Sequence, residues 1–232
     1  MTLRLAASIS VLLFTSCSPR HDKDGQLATP PKTHAIVEIH GDDGSSERRE
    51  ILFEQASDLE KVRSETIRSG HFIIRLAYED PDLSLNIEIT GSVHDGAVDG
   101  VVEQYLVEKQ ERFLTGIWTY ARGIQEGLQK AYYPRGIRPQ FKGDMVNGLR
   151  DGEWSIFYPS GGKAAVIHYQ NGKLDGPCTC FSKDGNEIAS GVYNDGRRER
   201  GTFVENLDEF SLSAFAGNTE QISVISTEDP GQ

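Results

Sequence analysis

The sequence is short of basic residues and of long apolar runs. Its 24 lysines and arginines are outnumbered by 35 aspartates and glutamates, which gives a formal net charge of −11. A surface of this sign repels phosphate backbones and anionic lipid headgroups. The apolar run from Leu5 to Phe14 has ten residues, against roughly 20 for a membrane-spanning helix. Nucleic acid is therefore excluded as a partner, and no transmembrane helix is expected.

The first residues are organised like a secretory signal. Arg4 supplies a positive n-region, Leu5 to Phe14 an apolar h-region, and Thr15-Ser16 a small-residue approach to Cys17. The stretch from Leu13 to Cys17 resembles a bacterial lipobox, in which the cysteine is lipidated and becomes the mature N-terminus. An ordinary signal peptide that happens to contain a cysteine is the alternative. The resemblance implies a signal peptide at 1–16 and a multiply acylated, stable membrane anchor at Cys17.

The mature chain falls into four predicted regions after this signal. Residues 17–33 carry the lipidated cysteine and a polar, proline-bearing tether. Residues 34–90 predict a small α+β region, with about four strands and one helix that opens at the capping box Ser57–Glu60 and ends at Gly70. Repeats occupy 91–204, and 205–232 form a C-terminal extension whose last ten residues are expected to fray.

Internal repetition is the strongest signal in the chain. A frame of Gly, two variable residues, an acid and a second Gly recurs with first-glycine spacings of 27, 25, 24 and 24 residues. The fifth copy, at Gly196, is degenerate because its second glycine has slipped to Gly201. The repeated turn glycines are Gly96, Gly100, Gly123, Gly127, Gly148, Gly152, Gly172, Gly176 and Gly196.

In four of the five frames the first glycine follows Asn or Asp, which predicts a two-residue type I′ hairpin turn with positive φ. The second glycine predicts a kink or a close backbone approach. An aromatic residue stands five positions after the second glycine in four copies, and a second turn follows about four residues later. These aromatic residues are Tyr105, Tyr132, Phe157 and Phe181. Each unit therefore predicts two strands, and the array predicts an elongated, mainly β antiparallel meander.

The patterns in Tyr169 to Gly176 and Gly148 to Tyr158 resemble MORN repeats (membrane occupation and recognition nexus). They are similar in particular to the 24-residue variant of the bacterial YwqK family, whose members are described as antitoxins. The resemblance covers about 90–203. Only Trp154 supplies the aromatic residue common two places after the second glycine. The resemblance implies a single-layer sheet of hairpins that serves as an interaction scaffold.

No catalytic motif stands out: the sequence has no His-Glu-x-x-His, Gly-x-Ser-x-Gly or phosphate-binding glycine loop. No catalytic residue, cofactor or metal site is predicted. Each repeated glycine frame contains one acidic residue, and we call these residues the frame acids. They either form a row of carboxylates that binds cations weakly or, as we favour, accept hydrogen bonds from turn amides. Five aromatic side chains are either a stacking platform or the packed face of the sheet, namely Trp118, Tyr132, Trp154, Tyr158 and Tyr169.

Cysteine is scarce, and after Cys17 only Cys178 and Cys180 remain. Strand alternation places both on one face, and a disulfide between residues i and i+2 of a strand has poor geometry. We therefore favour two small buried side chains over a redox pair or half of a metal site.

The functional expectation is a non-enzymatic lipoprotein of the bacterial cell envelope. Ser18 after the lipidated cysteine, rather than Asp, favours the outer membrane under enterobacterial sorting logic. The repeat sheet is expected to bind an unknown protein partner. The alternative is an antitoxin or immunity protein that neutralises a toxin by direct binding, and a third hypothesis places an enzyme site in residues 34–90.

Overall fold

The structure is a computed structural model that describes residues 33–53, 66–80, 83–204 and 224–227. The chain forms two compact units, 1–124 and 125–232. The described residues form strands and turns and contain no helix, which confirms the mainly β expectation. The predicted signal peptide at 1–16, Cys17 and the tether as far as residue 32 lie outside the described residues.

Six strands form the sheet of the first unit, with β1 between β2 and β3 and the remaining strands following in chain order. All neighbouring pairs are antiparallel. A hairpin turn at Gly41–Ser45 joins β1 to β2. The strands are β1 Thr33–Gly41, β2 Ser46–Phe53, β3 Gly70–Asp80, β4 Leu83–His94, β5 Ala97–Glu108 and β6 Glu111–Ala121.

The α+β character expected for residues 34–90 is not confirmed. The four strands are present, but most of the predicted helix, from residue 57 to 65, lies outside the described residues. Residues 66–68 are not helical, and Gly70 begins β3 instead of ending a helix. A Cβ atom at Gly70 would lie 2.0 Å from the carbonyl oxygen of His40, so the close pairing of β3 with β1 requires glycine here.

The second unit is an antiparallel meander in strict chain order. Its first strand, β7, begins at Ile124, the last residue of the first unit. The last strand, β14, pairs with β13, so the expectation that the final ten residues fray is wrong for residues 224–227. The strands are β7 Ile124–Tyr132, β8 Pro139–Val146, β9 Leu149–Phe157, β10 Lys163–Gln170, β11 Lys173–Phe181, β12 Glu187–Asn194, β13 Arg197–Val204 and β14 Val224–Thr227.

Alternation along each strand gives the sheets one buried face, which we call the inner face, and an opposite outer face. The inner face carries the residues two and four positions after each second glycine, and all of these are at most 4% exposed. They are Val102, Gln129, Trp154 and Cys178 at the first position, and Gln104, Ala131, Ile156 and Cys180 at the second.

Trp154 is the largest side chain of this inner row and depends on a strand glycine. A Cβ atom at Gly143 would lie 2.2 Å from the indole. The indole nitrogen donates to the carbonyl of Asp144 at 3.0 Å, and the rings of Phe141 and Tyr169 lie 5.9 and 6.2 Å away. The size of Trp154 therefore explains the glycine on the neighbouring strand.

Candidate functional site: the stacked turns and the outer face

All nine predicted turn glycines have positive φ, between 68° and 101°. The residue before each first glycine also has positive φ, between 48° and 51°, which is the type I′ geometry that the sequence predicts. These residues are Asp95, Arg122, Asn147, Asn171 and Asp195. Arg122 adopts the same conformation as its asparagine equivalents, so the turn is imposed by its neighbours as well as by residue preference.

The second glycines Gly100, Gly152 and Gly176 lie in β-bulges. Opposite Gly143, for example, the register of β9 shifts so that Gly152 to Trp154 face a single residue. No atom lies within 4 Å of the Cβ position that a side chain would take at Gly100 or Gly152. Positive φ, not a close approach, therefore requires glycine at these two positions. At Gly176 a Cβ atom would also lie 3.2 Å from the Cβ atom of His168, so both alternatives of the sequence expectation occur.

Successive type I′ turns are joined by a regular backbone hydrogen bond. The N–H of each first glycine donates to the carbonyl two residues after the previous copy's first glycine. The bonds are Gly123 to Val98 at 2.7 Å, Gly148 to Gln125 at 3.0 Å, Gly172 to Arg150 at 2.8 Å and Gly196 to Leu174 at 2.7 Å. Each turn is thereby held against the preceding one within its unit.

The frame acids complete the same contact. Each carboxylate accepts a hydrogen bond from the backbone N–H just before the next copy's first glycine, as the favoured sequence interpretation predicts. The bonds are Arg122 to Asp99 at 2.8 Å, Asn147 to Glu126 at 2.7 Å, Asn171 to Asp151 at 3.1 Å and Asp195 to Asp175 at 3.1 Å. No cluster of three metal-ligating side chains occurs among the described residues. The frame acids therefore link each copy to the next by a hydrogen bond.

An additional copy, which the sequence reading missed, precedes the first recognised frame. Gly96 donates to the carbonyl of Arg68 at 2.6 Å, and the Asp95 N–H donates to the Ser69 hydroxyl at 3.3 Å. These are the two contacts described above, with Ser69 in the place of the acid and Gly70 in that of the second glycine. Two, four and six residues after Gly70 lie buried Phe72, Ile74 and Leu76. The spacing of these three apolar residues from Gly70 is the sequence signal that could have identified this copy.

The proposed aromatic platform residues are mostly interior. Trp118, Trp154 and Tyr158 are 5, 3 and 1% exposed, whereas Tyr132 and Tyr169 are half-buried. The guanidinium of Arg150 lies 5.2 Å from the Trp154 ring and 5.4 Å from the Tyr169 ring. This arrangement favours the packed-face alternative for the three buried rings.

Two tyrosine hydroxyls connect copies on the inner side of the second turns. Tyr133 donates to the carbonyl of Phe157 at 2.7 Å, and Tyr158 donates to that of Phe181 at 2.6 Å. Burial raises the pKa of Tyr133 to about 12, with a smaller contribution from Tyr158. Burial also raises the pKa of Tyr158. Both groups remain neutral hydrogen-bond donors at neutral pH.

Cys178 and Cys180 form no disulfide and lie on the inner face, with 4 and 1% exposure. Cys178 lies between Ile167 and Gly191 in the register, and Cys180 lies between Ala165 and Ala189. The placement agrees with two small buried side chains.

The outer face of the first unit carries a charge network. Arg75 bonds Glu38 at 2.6 Å and Glu88 at 3.0 Å, and Arg112 bonds Glu88 at 2.7 Å. The hydrogen bond from Arg75 lowers the pKa of Glu38. The Arg112 guanidinium also lies 3.9 Å above the ring of Tyr105, so charged side chains cover this part of the surface.

The outer face of the second unit exposes large apolar side chains near the type I′ turns. Leu128, Val146 and Leu149 are 45, 42 and 42% exposed, and we call them the turn-edge patch. Val146 and Leu149 are direct cross-strand partners. Asp144 is the partner of both Leu128 and Asp151. The patch is therefore apolar with carboxylates beside it.

No protein-family model matches the chain, and no curated protein does either. The part of the chain that the structure describes also has no helix of the length and apolarity needed to cross a bilayer.

Proposed function

We propose that this chain is a non-enzymatic, lipid-anchored protein of the bacterial cell envelope whose MORN-type repeat sheet binds a protein partner. The turn-edge patch carries the proposal. Large apolar side chains are normally buried, and their concentration on an exposed surface is typical of protein interfaces. Here three such side chains, each more than 40% exposed, share one face of neighbouring strands.

The charges around the patch define the chemistry of the partner. Asp144 and Asp151 lie on the same face and carry the sign of the whole chain, whose net charge is −11. A complementary surface would have an apolar centre with lysine or arginine at its rim. Acidic proteins and polyanions would be repelled.

The frame acids, His71 and His168 are engaged in hydrogen bonds within the fold or, among the described residues, lack a catalytic partner, which supports a binding role over catalysis. Four frame carboxylates are engaged by turn amides. His168 contacts the Pro177 carbonyl at 3.1 Å through Nδ1. The exposed pair of Ser92 Oγ and His71 Nδ1, 3.0 Å apart, has no carboxylate on the other ring nitrogen among the described residues. A serine–histidine pair without such an orienting group lacks the third member of a catalytic triad.

The binding site is tested by photo-crosslinking in intact cells. A photoreactive side chain replaces Leu149 in one strain and Ile137, which is 93% exposed in the same unit, in a control strain. We expect a discrete protein adduct from position 149 and none, or a different one, from position 137. Absence of an adduct at 149, or the same adduct at both positions, would refute the patch as the interface.

The partner's identity separates a scaffold from the toxin-neutralising alternative. A toxin encoded by a neighbouring gene, captured at position 149, together with growth arrest when this gene is lost, would establish the immunity role. Capture of a non-toxic envelope protein supports the scaffold.

The anchor is tested by fractionation. We expect the wild-type chain in the outer-membrane fraction, Cys17→Ser to prevent lipidation, and globomycin treatment to leave the signal peptide uncleaved. A soluble, unlipidated wild-type protein would contradict the assigned location without affecting the turn-edge patch.

A further inference from the structure

A second feature of the outer face lies at the other end of the strands, near the second turns. Tyr132, Phe157 and Phe181 occur five residues after the second glycines of three successive copies. Their neighbours Ala131, Ile156 and Cys180 are buried on the inner face, so strand alternation places the three rings on the outer face. All three are half-buried. We call them the outer aromatic row.

The repeat sets the spacing of this row. The three rings stand on β7, β9 and β11, and one strand intervenes between each pair. Neighbouring strands are about 4.8 Å apart, so successive aromatic positions are about 9.5 Å apart. Ala131, Ile156 and Cys180 lie in one cross-strand row despite the bulges elsewhere in the strands. Each ring follows a member of that row by one residue, so the spacing is about the same between both pairs.

Two of the rings are covered by neither another ring nor a cation in the described part of the chain. Phe157 and Phe181 have no aromatic or cationic ring contact with any residue that the structure describes. The Lys130 ammonium lies 4.6 Å from the centre of the Tyr132 ring. Tyr105 holds the equivalent position in the first unit, but Arg112 lies over its ring at 3.9 Å and its hydroxyl donates to Glu103 at 2.6 Å.

Polar side chains stand beside the rings in the same row. Lys163 is the cross-strand partner of Phe157, and Glu187 is that of Phe181. Both are exposed. The row therefore alternates flat apolar surfaces with a hydrogen-bond donor and an acceptor.

We propose that the outer aromatic row binds an extended, uncharged β-1,4-linked glycan. The C–H faces of sugar rings are apolar and stack on aromatic faces, while sugar hydroxyls require donors and acceptors at the edge of the platform. A β-1,4-linked chain is extended and returns the same face on every second sugar, over a distance close to the spacing of the row. Lys163 and Glu187 lie where the hydroxyls of a chain running across the strands would pass.

Charge separates this ligand from other extended polymers. Nucleic acids and polyanionic polysaccharides would meet a protein with a net charge of −11. An uncharged glycan pays no such electrostatic cost. The outer aromatic row shares no residue with the turn-edge patch, so glycan binding and partner binding are separable properties.

The direct test is calorimetric titration of the Cys17→Ser chain with chitohexaose and, separately, with cellohexaose. Chitohexaose carries N-acetyl groups and cellohexaose does not, so the two arms distinguish the source of the sugar. Binding of either supports the proposal. Binding of neither overturns it.

The residues are tested by the double variant Phe157→Leu/Phe181→Leu, which keeps apolar volume but removes both aromatic faces. We expect its Kd to rise about tenfold or more, with the melting temperature little changed. The matched control is Tyr105→Leu, at the same repeat position but under Arg112, which should bind like the wild type. Equal affinity of the double variant and the wild type would overturn the assignment. If the double variant unfolds, Lys163→Ala and Glu187→Ala provide the same comparison from the exposed polar positions.

Discussion

The Oδ2 atom of Asp151 accepts a hydrogen bond from the backbone N–H of Asn171, 3.1 Å away and 20 residues along the chain. The acid of one copy thereby holds the turn of the next. We expect Asp151→Ala to lower the free energy of unfolding by about 1–2 kcal/mol, because the amide of a tight turn loses its acceptor. Asp151→Asn keeps an acceptor oxygen and should lose less. Urea denaturation of each variant measures the difference.

Glu199 provides the control for this coupling. It occupies the same frame position in the fifth copy, but no further type I′ turn follows it among the described residues. Glu199→Ala should therefore change the free energy of unfolding by less than about 0.5 kcal/mol. Equal losses at Asp151 and Glu199 would show that the carboxylate stabilises its own copy and not the next.

Substitutions at Ser69 test, through their effect on stability, whether the additional copy is equivalent to the later ones. Its hydroxyl lies 3.3 Å from the Asp95 N–H, where later copies place a carboxylate. We expect Ser69→Asp to be as stable as the wild type or more so, because the charged acceptor forms a stronger bond with the amide. Ser69→Ala should be less stable by about 1 kcal/mol. The order of the three thermal midpoints checks this, and a Ser69→Asp midpoint below that of Ser69→Ala would contradict the equivalence.

The contact between Gly143 and Trp154 predicts a large effect from one methyl group. Gly143→Ala would place a Cβ atom 2.2 Å from the indole, and overpacking of this kind costs about 1–3 kcal/mol. Replacing Trp154 with Leu removes the clash at the cost of ring packing. A double-mutant cycle should therefore show that the two changes cost less together than the sum of their separate costs. Strict additivity would mean that the indole does not meet the new methyl group.

Tyr133 predicts a loss of stability at high pH. Its pKa is raised by burial from 10.0 to about 12 in the folded chain. Below pH 10 both states hold the proton, and stability is complete. Between pH 10 and about 12 the unfolded tyrosine ionises while the folded one does not, so stability falls as the pH rises.

Tyr133→Phe separates this titration from the hydrogen bond to Phe157. At pH 8 the variant should be less stable than the wild type by about 1 kcal/mol, because the hydroxyl bond is lost. The difference should shrink as the pH is raised above 10, where only the wild type is penalised by ionisation. Urea midpoints over a pH series measure it. A constant difference would assign the alkaline sensitivity to other tyrosines.

Local residue patterns were sufficient to predict the repeat geometry. The I′ turns follow from residue pairs such as Asn147-Gly148, because few side chains tolerate positive φ and these two do. The strands β7 to β13 have eight or nine residues each, and this length follows from the glycine spacing, since each turn limits how far a strand can run. The hydrogen bond that Asp151 accepts from a turn amide was predictable because an acid recurs beside each turn.

Other features were not predictable because no local pattern specifies them. Ser69 is chemically unlike the acids it replaces, and only its bond to the Asp95 amide shows the equivalence. The final strand, β14, lies 20 residues after β13 ends, so its pairing depends on contacts distant in sequence. The helix expected to begin at Ser57 lies mostly outside the described residues, and of its predicted span only the non-helical end at 66–68 is described.

The sequence by itself determined where this chain turns, because backbone conformation at each Gly frame is a property of a few adjacent residues. Only the tertiary structure decided which side chains reach the surface. Trp154 and Phe157 are both aromatic and three residues apart, yet one packs over Gly143 and the other stands on the outer face. Burial depends on bulges and on the size of neighbours across the sheet, and these are set by residues far apart in the chain.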